Sequence, residues 1–329
     1  MPANLPPQYF EAEKTYRLAK TPDGKVEALE TMLAIMPKHK GTDKLRAELR
    51  RRIAKHLEEA ERRPAGARTG GSFNIRREGV GQIVLVGLPN SGKSELVSAL
   101  TGTLLEAADY PYTTKAPTPV MLMFENIQIQ LVDMPPITDR DAKPWFSHLF
   151  RNADALMIVV DLEIDPVTQM ETIIAELDKM MVKLLGKVGG EEDLLPGFVR
   201  KKALIVANKY DLDYSAENCE RLNSEYSDEF HIIPASAKKE TELRVVSGGI
   251  YEFLGIVRVY TKSPGKKPDF EDPIVLKKGS TIEDAAESVH KDFRNKLKYV
   301  QMWGSGKFDG QRVSRGHVLE DGDVVELHV

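Results

Sequence analysis

The chain has 329 residues and a mass of 36.8 kDa, which is enough for two or three domains that each bury their own core. Its hydrophobic fraction of 41% and charged fraction of 29% are typical of a globular protein and exclude a low-complexity chain. The net charge of −4 excludes a protein that binds polyanions over its whole surface, although residues 1–80 form a basic arm with 17 basic and 11 acidic side chains.

The single cysteine, Cys219, excludes an intramolecular disulfide and a zinc site of the usual ligand count. The N-terminus lacks the basic patch and apolar run of a signal peptide. No apolar stretch approaches the roughly 18 residues that a membrane-spanning helix needs. We therefore expect a cytoplasmic protein with no membrane partner.

Hydrophobic residues recur at helical spacing between about residues 7 and 63. The segment from Pro37 to Gly41 interrupts the pattern, which predicts a helical hairpin within residues 1–63, followed by a Gly- and Arg-rich linker over 64–79. This basic region fits contact with RNA phosphates, and it fits a simple packing or dimerisation hairpin equally well. The apolar stripes are Val26, Leu29, Leu33 and Met36, then Leu45, Leu49, Ile53 and Leu57.

Residues 80–254 alternate predicted strands and helices. The run GQIVLVG is continuously apolar, as a buried parallel strand should be, and similar strands are predicted at 127–132, 155–160, 203–207 and 232–235. Helical segments such as 167–185 lie between them. This alternation predicts a doubly wound α/β domain with a mostly parallel sheet.

Residues 255–329 form a separate predicted domain. IVRVYTK and PIVLKKG predict a hairpin, TIEDAAESVHKDF predicts a helix opened by a Thr cap, and KYVQMW and DVVELHV predict later strands. Two strands, a helix and two strands in so short a stretch predict a β-grasp domain with a ubiquitin-like fold.

The motif GLPNSGKS matches the phosphate-binding P-loop pattern and lies between the first strand and a helix, as that pattern requires. Gly87 and Gly92 allow a tight loop whose backbone N–H groups approach a β-phosphate. Lys93 is expected to reach the β- and γ-phosphates, and the Ser94 hydroxyl to bind Mg²⁺.

The motif NKYD follows the strand ALIVA and predicts which base is bound. The carboxylate of Asp211 can accept hydrogen bonds from N1–H and the exocyclic amine of guanine, whereas adenine would leave it unpaired. Asn208 is expected to tie the loop to the P-loop, and the backbone N–H of Ala237 to bind the guanine O6. The predicted nucleotide-binding residues are Asn90, Ser91, Gly92, Lys93, Ser94, Glu95, Asn208, Lys209, Asp211, Ser236, Ala237 and Lys238.

The order of these motifs, together with ADYPYTT and DMPP, resembles the Obg group of translation-associated GTPases, and most closely its DRG (developmentally regulated GTP-binding) branch. The similarity covers about residues 68–329, and the C-terminal segment is similar almost position by position to the TGS domain of that branch. The resemblance implies a P-loop GTPase that uses GTP, GDP and Mg²⁺, contacts ribosomes or RNA, and has a small activating protein partner.

The resemblance also implies roles for individual residues. Thr114 and Asp133 would complete the Mg²⁺ site with Ser94, with Thr113 as the alternative to Thr114. Lys93 and Thr114 would act on the γ-phosphate. In related GTPases an asparagine at the place of Asn90 helps to hold K⁺, which makes Asn90 a third candidate catalytic residue; its alternative role is a hydrogen bond that braces the loop.

The DMPP segment, residues 133–136, departs from the D-x-P-G of the family. Because proline has no N–H and a fixed φ, Pro136 should remove a γ-phosphate contact and stiffen the segment. Ile137 follows where Ras-like enzymes place a water-orienting glutamine. Two functions therefore stay open: a slow, K⁺-stimulated GTPase that acts on ribosomes or RNA, and a nucleotide-dependent ribosome- or RNA-binding module with little hydrolysis.

The C-terminal domain has basic side chains near two aromatic residues, Tyr299 and Trp303. This combination fits RNA contact through phosphate pairing and base stacking, and it fits a solvated rim around a core tryptophan. The basic residues are Lys277, Lys278, Lys291, Arg294, Lys296 and Lys298.

Overall fold

The computed structural model describes residues 6–18, 22–36, 42–61, 75–103, 116–138, 143–187 and 196–328. Within these ranges no helix has both the length and the hydrophobicity needed to cross a membrane. The described chain forms a helical N-terminal part, a seven-stranded sheet flanked by helices, and a five-stranded sheet at its C-terminal end.

The N-terminal part consists of α1 (Pro7–Leu18), α2 (Pro22–Ile35) and α3 (Asp43–Glu61). These helices bury a small core of their own, to which Tyr9, Leu29 and Leu49 contribute. The predicted hairpin corresponds to α2 and α3, so the structure has one helix more than the predicted pair. Pro22 begins α2, a position that suits proline because its missing N–H would have no helical partner there.

A sheet covered by helices on both faces forms the middle of the chain. Its strands are β1 (Gln82–Val86), β2 (Thr118–Phe124), β3 (Ile127–Asp133), β4 (Ala155–Asp161), β5 (Val182–Leu185), β6 (Val199–Asn208) and β7 (His231–Pro234). Its helices are α4 (Lys93–Thr101), α5 (Lys143–Asn152), α6 (Pro166–Lys179), α7 (Ser215–Tyr226) and α8 (Glu240–Leu254). The strand order is β2-β3-β1-β4-β6-β5 with β7 also on β6, and every pairing except β2–β3 is parallel. The predicted mostly parallel α/β fold is confirmed.

Two strands of this sheet were not predicted. In β2 only Val120 and Leu122 are buried, so the strand lacks the continuously buried run of β1 and β4. β5 lies inside the helix predicted over 167–185. The helix ends earlier because Met181 adopts a left-handed φ of 58°, after which the chain pairs with β6.

The C-terminal domain is the predicted β-grasp fold. It contains β8 (Ile256–Thr261), β9 (Ile274–Lys277), α9 (Ile282–Val289), α10 (Lys291–Lys296), β10 (Tyr299–Trp303), β11 (Gln311–Val313) and β12 (Val324–His328). The strand order is β11-β10-β12-β8-β9, and β12 runs parallel to β8. The predicted single helix is divided at His290, whose backbone is extended, and α9 starts with a capping box between Thr281 and Asp284.

Arg258 of β8 joins the C-terminal domain to the tip of the β2–β3 hairpin. Its guanidinium forms an ion pair with Asp321 at 2.7 Å and a second ion pair with Glu125, which lies at the hairpin tip. It also lies 5.1 Å from the ring centre of Tyr251, whose hydroxyl donates to Asp321. Since Arg258 is only 9% exposed, this is a largely desolvated charge held between two carboxylates.

Neighbouring polar and aromatic contacts extend this interface. The Asn126 amide donates to the Tyr260 hydroxyl and to the Phe270 carbonyl, both at 2.8 Å. The rings of Phe124 and Tyr251 stack with their centres 4.9 Å apart. The hairpin that ends at Asp133 is therefore fixed at its other end to the C-terminal domain.

The Arg258 contacts predict a specific loss of stability in acid. Partial burial acts to raise the pKa of Asp321, but hydrogen bonds from Arg258 and Tyr251 outweigh it and lower the pKa from 3.8 to about 2. The ionised carboxylate therefore stabilises the folded state above pH 3.8, and this contribution is lost as the pH falls towards 2. We expect Asp321→Asn to lower the melting temperature at neutral pH, with a difference from the unsubstituted protein that shrinks through this window.

The matched control for this prediction is Asp228→Asn, which changes an exposed carboxyl group and should leave the melting temperature unchanged. A difference between Asp321→Asn and the unsubstituted protein that stays constant down to pH 2 would contradict the assignment.

Candidate functional site

The loop between β1 and α4 is packed so closely that it requires glycine at two positions. A Cβ atom on Gly87 would lie 2.7 Å from both the Ser91 hydroxyl and the Val159 carbonyl oxygen. Gly92 has a left-handed φ of 81°, and a Cβ atom there would lie 2.3 Å from the side-chain amide nitrogen of Asn208. Both glycines of the GLPNSGKS motif are thus needed for the loop conformation.

The Lys93 side chain is folded back over this loop and is buried. Its ammonium group donates to the carbonyl oxygens of Gly87 at 3.2 Å and Leu88 at 2.9 Å, and lies 3.4 Å from the Ser91 hydroxyl. Phosphate oxygens are stronger acceptors for an ammonium group than carbonyl oxygens are. The arrangement suits a lysine that transfers its hydrogen bonds to a bound diphosphate.

Asn90 lies within this loop, and Glu95 lies in the helix that follows it. Asn90 is exposed and has a left-handed φ of 61°, a conformation that asparagine adopts more readily than most residues. Glu95 is exposed in the first turn of α4 and lines the neighbouring cavity, so a carboxylate stands where the helix dipole favours negative charge.

The structure places two of the three predicted Mg²⁺ ligands in contact. The Ser94 hydroxyl donates to the Asp133 carboxylate at 2.6 Å. A hydroxyl and a carboxylate oxygen are the ligand types that Mg²⁺ prefers, so this pair fits the ion. The third predicted ligand, Thr114, and its alternative, Thr113, lie outside the described residues.

A cavity of about 240 Å³ opens beside the loop, at the carboxyl ends of β6 and β7. In parallel α/β sheets this edge is where ligands bind. The cavity brings together residues of NKYD, SAK and the P-loop helix that are far apart in the sequence. It is lined by Glu95, Glu163, Asn208, Lys209, Asp211, Leu212, Ser236, Ala237 and Lys238.

Asp211 presents an ionised carboxylate to this cavity. A hydrogen bond from the Ser236 hydroxyl lowers its pKa, and the Lys238 ammonium group, 3.5 Å away, lowers it further. The side chain is 19% exposed, so the carboxylate is partly shielded and still reachable by a ligand. Such a group can accept two hydrogen bonds from a planar base.

Lys209 is held by two carboxylates that the sequence did not indicate. Its ammonium group donates to Asp161 at 2.7 Å and to Glu163 at 2.9 Å, and its backbone has a left-handed φ of 65°. Burial acts to lower the pKa of Lys209, but these hydrogen bonds outweigh it and raise the pKa. Asp161 is the last residue of β4 and Glu163 follows shortly after it, at the position where polar residues reach the ligand edge of the sheet.

Asn208 connects the base cavity to the phosphate loop. It is 2% exposed, and its amide group donates to the Ser91 carbonyl oxygen at 3.0 Å. Its side-chain oxygen is buried and has no hydrogen-bond partner among the described residues. The residue can therefore brace the two loops and still accept a hydrogen bond from a ligand.

The segment after Asp133 is fixed to the loop by its backbone. The N–H of Ile137 donates to the Gly87 carbonyl oxygen at 3.1 Å, and the Ile137 side chain is buried in the hydrophobic core. Pro136, directly before it, has no N–H to offer. In this arrangement neither side chain supplies a group that could orient a water molecule.

Comparisons with known proteins agree with the motifs. Residues 82–188 match the family model described as 50S ribosome-binding GTPase, and residues 257–329 match the TGS domain model. The chain is 29% identical to Ribosome-interacting GTPase 1 of Saccharomyces cerevisiae, over 92% of this chain and 98% of that protein. It is 28% identical to an uncharacterized GTP-binding protein of Methanocaldococcus jannaschii, over 92% of this chain and 91% of that protein.

A solved structure supports the fold in the same way. The YchF GTPase of Schizosaccharomyces pombe has a TM-score of 0.50 and 16% sequence identity, and the match covers 78% of this chain and all of that chain. Together, the P-loop sheet, the motif order and the C-terminal β-grasp domain confirm the resemblance found in the sequence. The chain thus combines a P-loop G domain with a C-terminal TGS domain, and over most of its length it is similar to DRG-type GTP-binding proteins.

Proposed function

We propose that this protein binds GTP and GDP with Mg²⁺ and hydrolyses GTP to GDP and phosphate as a slow switch. The observation that carries the proposal is the meeting of three groups at one sheet edge. These are the Lys93 loop, the Ser94–Asp133 pair and the cavity that contains Asp211. The first two suit a metal-bound di- or triphosphate, and the third suits a base.

Guanine is the base that this cavity fits best. The ionised Asp211 carboxylate has two acceptor oxygens for the N1–H and exocyclic amine of guanine. Adenine has no such pair of donors on one edge and would leave a desolvated carboxylate without partners. The backbone N–H of Ala237 and the stem of Lys209 are the groups we assign to the O6 atom and the base face.

The proposed roles at the phosphates follow from chemistry and position. Lys93 would bind the β- and γ-phosphates, and Ser94, Asp133 and Thr114 would hold Mg²⁺, which supplies neutralising charge when bound. The exposed, left-handed Asn90 is the residue that we assign to a K⁺ ion. Because Ile137 is buried and Pro136 has no N–H, we propose slow hydrolysis that depends on this cation or on a small activating protein.

The proposed partner is a ribosome or another RNA-containing particle in the cytoplasm. Support comes from the name of the yeast relative and from the matched family description. In the TGS domain, the Lys262 ammonium group lies 4.1 Å from the ring centre of Trp303, and the Arg312 guanidinium lies 4.1 Å from that of Tyr299. Lys262 also pairs with the buried Glu326 at 2.6 Å, so the exposed Arg312, beside the half-buried Tyr299 ring, is the cation that suits a phosphate.

The predicted basic cluster around the TGS helices contributes less net charge than its sequence implies. Arg294 pairs with Glu283 at 3.0 Å and Glu287 at 2.7 Å, and Lys296 pairs with Asp292 at 3.2 Å. These surface pairs are exposed, so they can rearrange when a polyanion approaches.

A second candidate function is a nucleotide-dependent binding module that barely hydrolyses GTP. The observation that favours it is the buried Ile137 side chain behind Pro136, which leaves this segment without a group to position water. Single-turnover hydrolysis with and without ribosomes separates the two functions. The switch requires GTP cleavage on the ribosome within the lifetime of the complex, whereas the module would release intact GTP.

The close contact at Gly92 gives a prediction about nucleotide binding. Gly92→Ala and the control Gly102→Ala both place alanine at a left-handed φ, which costs roughly 1–2 kcal/mol each. Only the Cβ atom at position 92 meets Asn208, since nothing lies within 4 Å at position 102. We expect Gly92→Ala to weaken binding of a fluorescent GDP analogue on the order of tenfold or more, or about 1.4 kcal/mol. Equal affinities of the two variants for GDP would contradict the proposal that Asn208 must join the two loops for the nucleotide to bind.

A substitution at Asp211 tests base selection. Asp211→Asn replaces one acceptor by a donor, so GDP should bind on the order of 10–100-fold more weakly, as expected for a lost charge-assisted hydrogen bond. Xanthosine diphosphate, which has a carbonyl group in place of the amine, should bind more tightly than before. Asp213→Asn, an exposed change two positions away, serves as the control. Unchanged GDP affinity in Asp211→Asn would remove Asp211 from the site.

The K⁺ proposal is tested by steady-state turnover in KCl and in NaCl. Asn90→Gly removes the side chain and tolerates the left-handed φ of 61°, so the loop conformation should survive. We expect faster turnover in KCl for the unsubstituted protein, and equal rates in the two salts for Asn90→Gly. If the unsubstituted protein hydrolyses GTP at the same rate in both salts, Asn90 does not bind K⁺. Its alternative role, a hydrogen bond that braces the loop, would then remain.

A further inference from the structure

A basic cavity lies at the edge of the sheet opposite to the nucleotide loops. It has a volume of about 790 Å³ and surrounds the start of β1, the end of α5 and the start of β6. The nucleotide motifs follow the carboxyl ends of the strands, so the two sites lie at opposite ends of the same sheet. The charged residues that line the cavity are Arg76, Arg77, His148, Arg151, Asp154 and Lys201.

Three of the cavity's permanent cations have no carboxylate in an ion pair among the described residues. Arg76 is exposed and its side chain makes no such contact. The Arg151 guanidinium donates to the Gly197 carbonyl oxygen at 3.0 Å, and the Lys201 ammonium group donates to the Ala153 carbonyl oxygen at 2.6 Å. Carbonyl oxygens satisfy hydrogen bonds but do not neutralise charge, so positive charge remains in the cavity.

The acidic groups nearby are already engaged. Asp154, the one carboxylate among the lining residues, pairs with Arg77 at 3.1 Å and accepts from the Gln82 N–H at 2.8 Å. Glu30 of α2 pairs with His148 at 3.1 Å, and Glu30 and Glu27 together offset part of the charge of Arg151. The balance around the cavity stays positive.

Burial is the main cause of the pKa shifts of two cavity cations. Burial lowers the pKa of Lys201, the positive charges of Arg77 and Arg151 lower it further, and Asp154 opposes the shift only in part. Burial also lowers the pKa of Arg151, although Glu30 and Glu27 act to raise it. A bound anion would reverse these shifts, because opposite charge favours the charged form of each cation.

We propose that this cavity binds the sugar–phosphate backbone of RNA. Three of its four permanent cations are arginines, whose planar forks pair with two phosphate oxygens at once. These cations are spread around a cavity of about 790 Å³, so several phosphates in a row would fit better than one free anion. The inference deepens the proposed RNA contact and is independent of nucleotide binding.

The proposed contact with several phosphates predicts a steep dependence of binding on salt concentration, because each phosphate that pairs with a cation releases counterions.

Charge reversal at Arg76 tests the site with little risk to the fold, because the side chain is exposed and makes no described ion pair. The matched control is Arg244→Glu, which reverses an exposed arginine on α8 whose ion pair within the described part of the chain is with the neighbouring Glu240. We would measure binding of a fluorescent single-stranded RNA oligonucleotide by anisotropy over a series of salt concentrations. The melting temperature and the affinity for a GDP analogue are measured on the same samples.

We expect Arg76→Glu to weaken RNA binding roughly tenfold and to reduce the slope of affinity against salt by about one phosphate contact or more. Arg244→Glu should bind RNA as the unsubstituted protein does, and both variants should keep the GDP affinity and the melting temperature. If RNA binding is unchanged in Arg76→Glu, the cavity is not the RNA-binding site, and the proposed function of the protein is unaffected.

Two further outcomes also overturn the proposal. No RNA binding by the unsubstituted protein removes both the cavity and the RNA part of the proposed function, while GDP binding would still support the nucleotide site. If polyglutamate of similar charge binds as tightly as RNA and also depends on Arg76, the cavity serves an acidic protein partner instead.

Discussion

The candidate nucleotide site depends on one contact, the hydrogen bond from the Asn208 amide to the Ser91 carbonyl oxygen at 3.0 Å. It joins the loop after β1, which suits phosphates, to the loop after β6, which suits a base. Space for it exists only because Gly92 has no side chain. Since both loops follow parallel strands, the sheet sets their separation and this contact fixes their relative orientation.

The β2–β3 hairpin gives the site a direct structural connection to the TGS domain. Asp133, at the end of β3, contacts Ser94 of the phosphate loop. At the hairpin tip, Glu125 and Asn126 contact Arg258 and Tyr260 of the C-terminal domain. One continuously paired element thus contacts both a proposed Mg²⁺ ligand and the domain to which we assign RNA contact.

The sequence predicted the elements whose signals are local. The P-loop and NKYD could be recognised because their glycines and polar residues directly follow buried apolar strands. The start of β5 could not, since no glycine or proline marks the left-handed turn at Met181. The role of Asp161 and the basic cavity were also missed, because each is formed by residues that are far apart in the sequence. Lys209 pairs with Asp161 from another strand, and Lys201 and Arg77 line one cavity only in the folded protein. The domain limits and individual site roles remain predictions.

The central claim is that the Lys93 loop and the Asp211 cavity together form one guanine-nucleotide site. Isothermal titration calorimetry of the folded protein with GDP, GTP and ADP in the presence of Mg²⁺ tests it most directly. The account predicts saturable heat at a single site for GDP and GTP, and none for ADP. Folded protein that gives no heat with either guanine nucleotide, or equal heat with ADP, would contradict it.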